Sequence, residues 1–262
     1  MPDKTEIEQI LRQAGELVMS RRMSYGDITE KEKNEIVTPA DILSNQFITD
    51  ELQKFYPEIP IYTEEEQDNK SDSTTRWVLD PIDGTTPWVW GNSGFAISLA
   101  LEKNGIIVLG AIYDPVMKEY FYAERGNGAT RNGQTIKVAA DTPRKQMLMV
   151  VDWGYKDEKR AEGLEYFKKF LFPDMFARRI VPQWAPALGF CRLAEGRIHS
   201  IVCNDTWVED HAAGAIIAAE AGAIVTNFYH TKSFQHREAG VIATNNRANH
   251  AEIVNFLSVF HE

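Results

Sequence analysis

Apolar residues recur at Ile7, Ile10, Leu11, Ala14 and Val18, a helical stripe that predicts a first helix over residues 7–23. A polar, charged segment follows over 24–35. Thr38-Pro39-Ala40-Asp41 then opens a second helix, with Thr38 as N-cap, Pro39 in the first turn and Asp41 at the capping-box position. Leu43, Phe47, Leu52 and Phe55 line its inner face, and Tyr56-Pro57 ends it. Short apolar runs come next. A strand at 59–62 runs into Glu64-Glu65-Glu66, and Trp77-Val78-Leu79 forms another. Runs at 95–101, 106–113 and 119–123 are separated by Lys103-Asn104-Gly105 and Asp114-Pro115, which predicts an antiparallel meander. Asn132-Gly133 marks a further hairpin.

Past about residue 145 the pattern changes. Strands are predicted at 147–151, 199–203, 223–225 and 240–243, with helices at 158–172, 186–195, 210–221 and 246–260. This alternation, after a meander, indicates an α/β (α+β) chain of two subdomains, 1–145 and 146–262. No internal repeat or low-complexity segment is visible.

Composition narrows the class. The 262 residues are 44% hydrophobic and 25% charged, as in soluble globular proteins. A formal net charge of -10 with no basic stripe argues against a nucleic-acid polymer as partner. Cys191 and Cys203 have no cysteine or histidine neighbours at zinc spacing, so reduced thiols are expected, with a bridge left open. The N-terminus lacks an apolar signal core, and no stretch approaches membrane-spanning length. A cytoplasmic protein without a membrane partner is expected.

The chemistry concentrates at Asp80-Pro81-Ile82-Asp83-Gly84-Thr85. Asp-Pro and Asp-Gly are turn formers, so this element is expected to be a sharp turn ending the strand before it. Such a turn aims two carboxylates and the Ile82 carbonyl at one point, a hard oxygen set suited to Mg²⁺. Solvated acids on an ordinary turn are the alternative. Glu64 and Glu65 end the preceding strand, and Asp210 starts the alanine-rich helix. Strand ends and helix starts of α/β folds face a common crevice, where several acids cannot stay ionised without cations. Taken singly, the glutamates read as a solvated loop, Asp210 as a macrodipole charge, and Asp41 as a cap.

In their order along the chain, Val37-Thr38-Pro39-Ala40-Asp41, Thr63-Glu64-Glu65, Trp77 to Thr85 and Asp210-His211-Ala212-Ala213-Gly214 resemble the inositol monophosphatase family. That family comprises Mg²⁺-dependent, lithium-sensitive phosphomonoesterases. The resemblance spans nearly the whole chain and implies a layered αβαβα sandwich of the inositol monophosphatase/fructose-1,6-bisphosphatase type, and a homodimer. It implies that Glu64, Asp80 and the Ile82 carbonyl hold one metal. Asp80, Asp83 and Asp210 would hold a second, and Glu65 would support a metal-bound water. Thr85 and Asp41 would orient or deprotonate the attacking water, while Lys31 or Lys33 would fill a basic position. Gly84, Thr85 and Thr86 precede a short helical start whose free amides can cradle phosphate.

The second half departs from the family pattern. Trp184-Ala185-Pro186 stands where inositol-specific members carry a Gly-Ser/Thr-Ala element, and Cys203 where they carry a glutamate. Glu209 replaces a tryptophan before the last aspartate, with Trp207 two residues upstream, and Pro87-Trp88 replaces an Asn-Phe pair. Trp184, Ala185 and Cys203 are therefore expected on the wall that reads the leaving group. Trp88, Trp90 and Trp184 offer flat surface for a ring, with core or interface packing as the plainer role. The expected activity is hydrolysis of a small phosphate monoester, inositol monophosphate by family default. Histidinol phosphate or a 3′(2′),5′-bisphosphate nucleotide is the alternative, fructose bisphosphate a more distant one. A non-catalytic ligand-binding member is the reading of a different class, and an RNA-associated role lacks a basic signature.

Overall fold

The computed structural model describes residues 1–21, 29–30, 36–65, 73–154, 156–183, 185–228, 234 and 237–258. Helix α1 (Lys4–Ser20) starts at Asp3, whose side chain accepts from the amides of Thr5 and Glu6. Its buried face is the predicted stripe of Ile7, Ile10, Leu11, Ala14 and Val18. Two short antiparallel strands, β1 (Thr29–Glu30) and β2 (Ile36–Val37), lead into α2 (Pro39–Phe55).

Among the described residues, the first large sheet has 7 strands, adjacent in chain order. They are β3 (Ile61–Thr63), β4 (Thr75–Asp83), β5 (Ala96–Lys103), β6 (Ile106–Asp114), β7 (Glu119–Glu124), β8 (Ala129–Arg131) and β9 (Gln134–Ile136). Only β3 and β4 pair in parallel; the rest form the predicted meander. Helix α3 (Thr85–Val89) follows β4. The β8–β9 hairpin turns at Asn132 and Gly133, both with positive φ, as an Asn-Gly turn requires.

The second sheet holds β10 (Leu148–Asp152), β11 (Arg179–Pro182), β12 (Ser200–Cys203), β13 (Ile224–Asn227) and β14 (Val241–Thr244), in the order β11-β10-β12-β14-β13. Strand β10 runs parallel to both β11 and β12, so these three ends emerge on one side. The edge strand β11 was not predicted. Its only apolar residues in the ladder besides a terminal proline are Ile180 and Val181, too short a pattern to read. Helices α4 (Asp157–Leu171), α5 (Pro186–Ala194), α6 (Val208–Glu220) and α7 (Arg247–Ser258) complete the chain.

Strand alternation sorts side chains into layers. Trp77, Leu79, Leu99 and Leu101 pack with Ile7, Leu11, Ile48 and Leu52 of α1 and α2. Val78, Ala100, Ile112 and Phe121 face the other way, onto Leu188, Ala212, Ala213 and Ile216 of α5 and α6. The far side of those helices, through Phe190, Leu193 and Ala215, covers Val150, Ile201 and Val241 of the second sheet. Met149, Val202 and Ile242 pack outward against Tyr166, Phe170, Ile253 and Leu257 of α4 and α7. The result is the expected αβαβα stack, with α5 and α6 sandwiched between sheets.

The middle layer is pressed close to the first sheet. A Cβ on Gly110 of β6 would lie 2.5 Å from the Ala213 carbonyl and 2.6 Å from Ile216 Cγ2. Since a backbone carbonyl cannot rotate away, Gly110→Ala is expected to push α6 outward and destabilise the fold by about 1–3 kcal/mol. The check is a circular-dichroism melt, several degrees lower with the far-UV spectrum retained; an unchanged melt contradicts this packing.

Candidate active site

The Asp80–Asp83 element proves to be the end of a strand with a bulge rather than a turn after the strand. Asp80 pairs with Ser98 and Asp83 with Ala96, so β4 carries one residue more than β5 across this interval. In a regular strand, residues three apart face opposite sides; one additional residue brings them back to the same side. Both aspartates are buried, at 2% and 3% exposure. The Asp80 Oδ1 accepts from the Ile82 amide at 2.9 Å, and Ser44 Oγ ties the Pro81 carbonyl at 3.0 Å, which fixes the bulge. Gly84 ends it at φ 91, where a Cβ would also sit 2.8 Å from the Gly94 carbonyl. Space and conformation both demand glycine there.

Three helix starts converge on this point. Asp210 is the third residue of α6, and its Oδ2 accepts from the Trp207 amide at 2.8 Å and from Thr206 Oγ1 at 3.0 Å. Asp83 Oδ2 accepts from the Ala187 amide at 2.8 Å, so it caps α5 from across the layer. Asp41 holds the predicted capping box of α2: its Oδ2 accepts from the Thr38 amide at 2.8 Å. Its other oxygen accepts from Thr85 Oγ1 at 2.9 Å, and the same hydroxyl lies 3.2 Å from the Ile82 carbonyl.

Asp80, Asp83 and Asp210 each place a carboxylate oxygen within 4.8 Å of the others, an arrangement that can hold a metal ion. Glu64 follows the Thr63–Leu79 pair and donates its amide to the Leu79 carbonyl, which sets it level with Asp80. Burial first, and then Glu64, Asp83 and Asp210, push the Asp80 carboxyl well above the usual range. Asp83 is raised in the same way, by burial and by Asp210. Burial lifts Asp41 to about 6, against its hydrogen bonds to Thr38 and Thr85, and Glu65 adds a smaller upward push. A set of all-oxygen donors whose charges oppose one another out of water fits divalent cations, which remove the repulsion on binding.

Gly84, Thr85 and Thr86 sit at the α3 start, where no side chain caps the first-turn amides. Ala185 starts α5, buried at 2%, its Cβ 3.0 Å from where a Gly84 Cβ would be. Cys203 was expected on the substrate wall, and here the structure differs. It has no exposed surface and packs among Val150, Phe190, Ile201 and Val241, as the inward residue of a central strand must. Trp88 is likewise core, packed with Val18, Ala40, Ile82 and Phe95, whereas Trp90 is 60% exposed. Trp184, Lys31, Lys33 and Glu66 lie outside the described residues.

Two acids escaped the sequence reading as members of the site. Asp152 ends β10 and is pushed up to about 7, mainly by burial and also by Asp210. Its signal was present: Leu148–Asp152 is a hydrophobic run closed by an acid, just as Trp77-Val78-Leu79 is closed by Asp80. Glu209 is 2% exposed and raised to about 8 by burial and by Asp210.

The family model described as the inositol monophosphatase family matches residues 3–258. A fructose-1,6-bisphosphatase/inositol-1-monophosphatase of Thermotoga maritima is 34% identical over 228 residues, 84% of this chain and 82% of that protein. The Nus factor SuhB of Vibrio cholerae is 32% identical over 201 residues, 76% and 74% of the two chains. The solved Thermotoga maritima IMPase superposes with a TM-score of 0.86 at 30% identity, covering 96% of this chain and 95% of that one.

The raised acids set the pH dependence. A proton kept by folded Asp152 up to about 7 is lost by the unfolded chain near the ordinary carboxylate value of 3.8. That contribution to stability is full below the unfolded value and is lost as pH rises through about 7. With chelator present, the melting temperature is expected to fall from about pH 5 to pH 8, and Asp152→Asn to flatten the fall. Excess Mg²⁺ competes with these protons and is expected to raise the melt most at the alkaline end. A melt indifferent to divalent cations at every pH would contradict a metal centre.

Proposed function

This chain belongs to the inositol monophosphatase family, and we propose that it hydrolyses a small phosphate monoester with water activated beside Mg²⁺. The observation that carries this reading is the 4.8 Å convergence of Asp80, Asp83 and Asp210 next to the Thr85–Asp41 pair. Glu64, Asp80, Asp83, Asp210 and the Ile82 carbonyl would hold the cations. When bound, divalent ions in such a site polarise phosphoryl oxygens and offset charge on the nucleophile and leaving group.

The remaining work falls to the chain. A hydroxyl has one proton to give, and Thr85 lies within reach of both the Asp41 carboxylate and the Ile82 carbonyl. With the carbonyl engaged elsewhere, Thr85 donates to Asp41 and turns a lone pair to the attacking water; as Thr85 takes the water's proton, its own proton passes to the Asp41 carboxylate. Asp41 is fixed for this by the Thr38 amide and hydroxyl. The uncapped first-turn amides of Thr85 and Thr86 cradle the phosphoryl oxygens. Glu65, within electrostatic reach of Asp41, supports the water from the β3 side.

The family default substrate is inositol monophosphate, with histidinol phosphate and 3′(2′),5′-bisphosphate nucleotides as the alternatives. The name Nus factor belongs to the Vibrio cholerae relative, and the complete acid set here favours hydrolysis.

Phosphate release from these esters and from fructose bisphosphate, with Mg²⁺, tests the proposal. Asp83→Asn is expected to lower kcat/KM by about 10³ or more through loss of a metal donor. Thr85→Ala is expected to cost about 10², mostly in kcat, as removal of a proton acceptor does. No phosphate from any ester rejects the reading.

A further inference from the structure

The parallel strands β10 and β12 end side by side, with Asp152 opposite Cys203. The described residues that follow them, Gly154 after β10 and Asp205 to Trp207 after β12, form a rim beside the acid cluster. The two loops touch closely: a Cβ on Gly154 would lie 2.2 Å from Asp205 Oδ2. The rim is rooted in the cluster itself, because the Trp207 amide is 2.8 Å from Asp210 Oδ2. Yet Trp207 is 52% exposed. Lys156, at the start of α4, holds its Nζ 5.2 Å from the centroid of the Trp207 ring.

An indole left half in water has a cost, since its apolar area goes uncovered. Among the described side chains on the Asp83 and Asp210 sides, few present polar atoms toward a ligand. Ala185, on the Asp83 side, is buried against Gly84. Cys203 is wholly buried, and the Thr206 hydroxyl is committed to Asp210. The exposed indole offers a polyol's hydroxyls a single N–H, whereas it gives a planar ring a stacking surface. The Lys156 ammonium over one part of the indole restrains the ring and, with Asp205 in its field, lessens the acidity of the rim.

Resting on the phosphomonoesterase reading above, we infer that Trp207, braced by Lys156, is the leaving-group subsite and selects phosphate esters of alcohols that carry a flat heterocycle. The chemical class is that of nucleoside 2′- or 3′-monophosphates rather than polyol phosphates. Trp207 stacks on the base; Lys156 is a positioning residue that acts through the indole.

The test compares kcat/KM for adenosine 2′-monophosphate and glycerol 2-phosphate in the full chain with Mg²⁺. The wild type is expected to favour the nucleotide by about tenfold or more, as stacking on one aromatic ring allows. Trp207→Ala is expected to cut that ratio by about tenfold, chiefly through KM, and Trp207→Phe to restore most of it. Lys156→Met is expected to lower the ratio less. Nucleotide titration should quench the tryptophan fluorescence of the wild type more than that of Trp207→Phe. A substrate ratio unchanged in Trp207→Ala overturns the subsite while leaving the phosphatase reading standing. A wild type inactive on both esters but active on another of the esters named above overturns the subsite. One inactive on every ester overturns the phosphatase reading, and the fluorescence titration then decides the subsite by itself, equal quenching in the two proteins rejecting it.

Discussion

Asp80 and Asp83 share one buried bulge, Asp210 reaches them from the layer above, and the repulsion among these carboxylates is hardly screened by water. That repulsion is a local conflict which the surrounding fold tolerates because each acid also accepts a hydrogen bond from backbone. The Ile82, Ala187 and Trp207 amides serve Asp80, Asp83 and Asp210 in turn. Two of these donors belong to helix starts, where amides lack partners in their own helix and the macrodipole favours negative charge. The helices and the cluster therefore satisfy each other in part, and the remaining repulsion is what a cation held under the proposed function would offset.

The cluster also requires α5 and α6 to be held at the right depth. On the α6 side this is done by small residues, with Gly110 and Gly214 admitting the Ala213 backbone and the Phe190 ring at distances no Cβ would allow. On the α5 side it is done by charge. Arg192 reaches Glu119 at 2.8 Å, Glu195 at 2.9 Å and Asp114 at 3.2 Å, while Arg131 bridges Glu119 and Glu195. Its acidic partners hold the Arg192 guanidinium above its ordinary value despite burial. Such a half-buried network with several partners resists separation of its members, since a lone charge left behind would be costly. It joins α5 to the β6–β7 corner, and hence the Asp83 cap to the first sheet.

The wall opposite the acids follows a different logic from the acids themselves. Cys203 lies in the sheet core and Ala185 against Gly84, so the described part of that wall takes its character from loop residues at the ends of β10 and β12. Loops at the carboxyl ends of parallel strands vary without disturbing the layers beneath. An acid set that resembles the family's at the floor and a rim that departs from its pattern are thus compatible within one molecule.

Much of this protein was legible along the chain, because its signals are local. The α1 stripe, the Thr38–Asp41 capping box, the meander turns and the Asn132-Gly133 hairpin depend on neighbours within a few residues. The acid-rich element from Asp80 to Thr85 announced itself for the same reason. Other features depend on what lies across a layer, and no spacing along the chain encodes them. Whether Asp80 and Asp83 face one way was decided by the register of β4 against β5. Whether Cys203 meets ligand or core was decided by the packing of α5 and α6 on β12, and Asp152 and Trp207 joined the site only when parallel strand ends came together. Hydrogen bonding, turn geometry and helix capping are short-range and can be read in order; burial and the meeting of like charges are properties of the assembled layers.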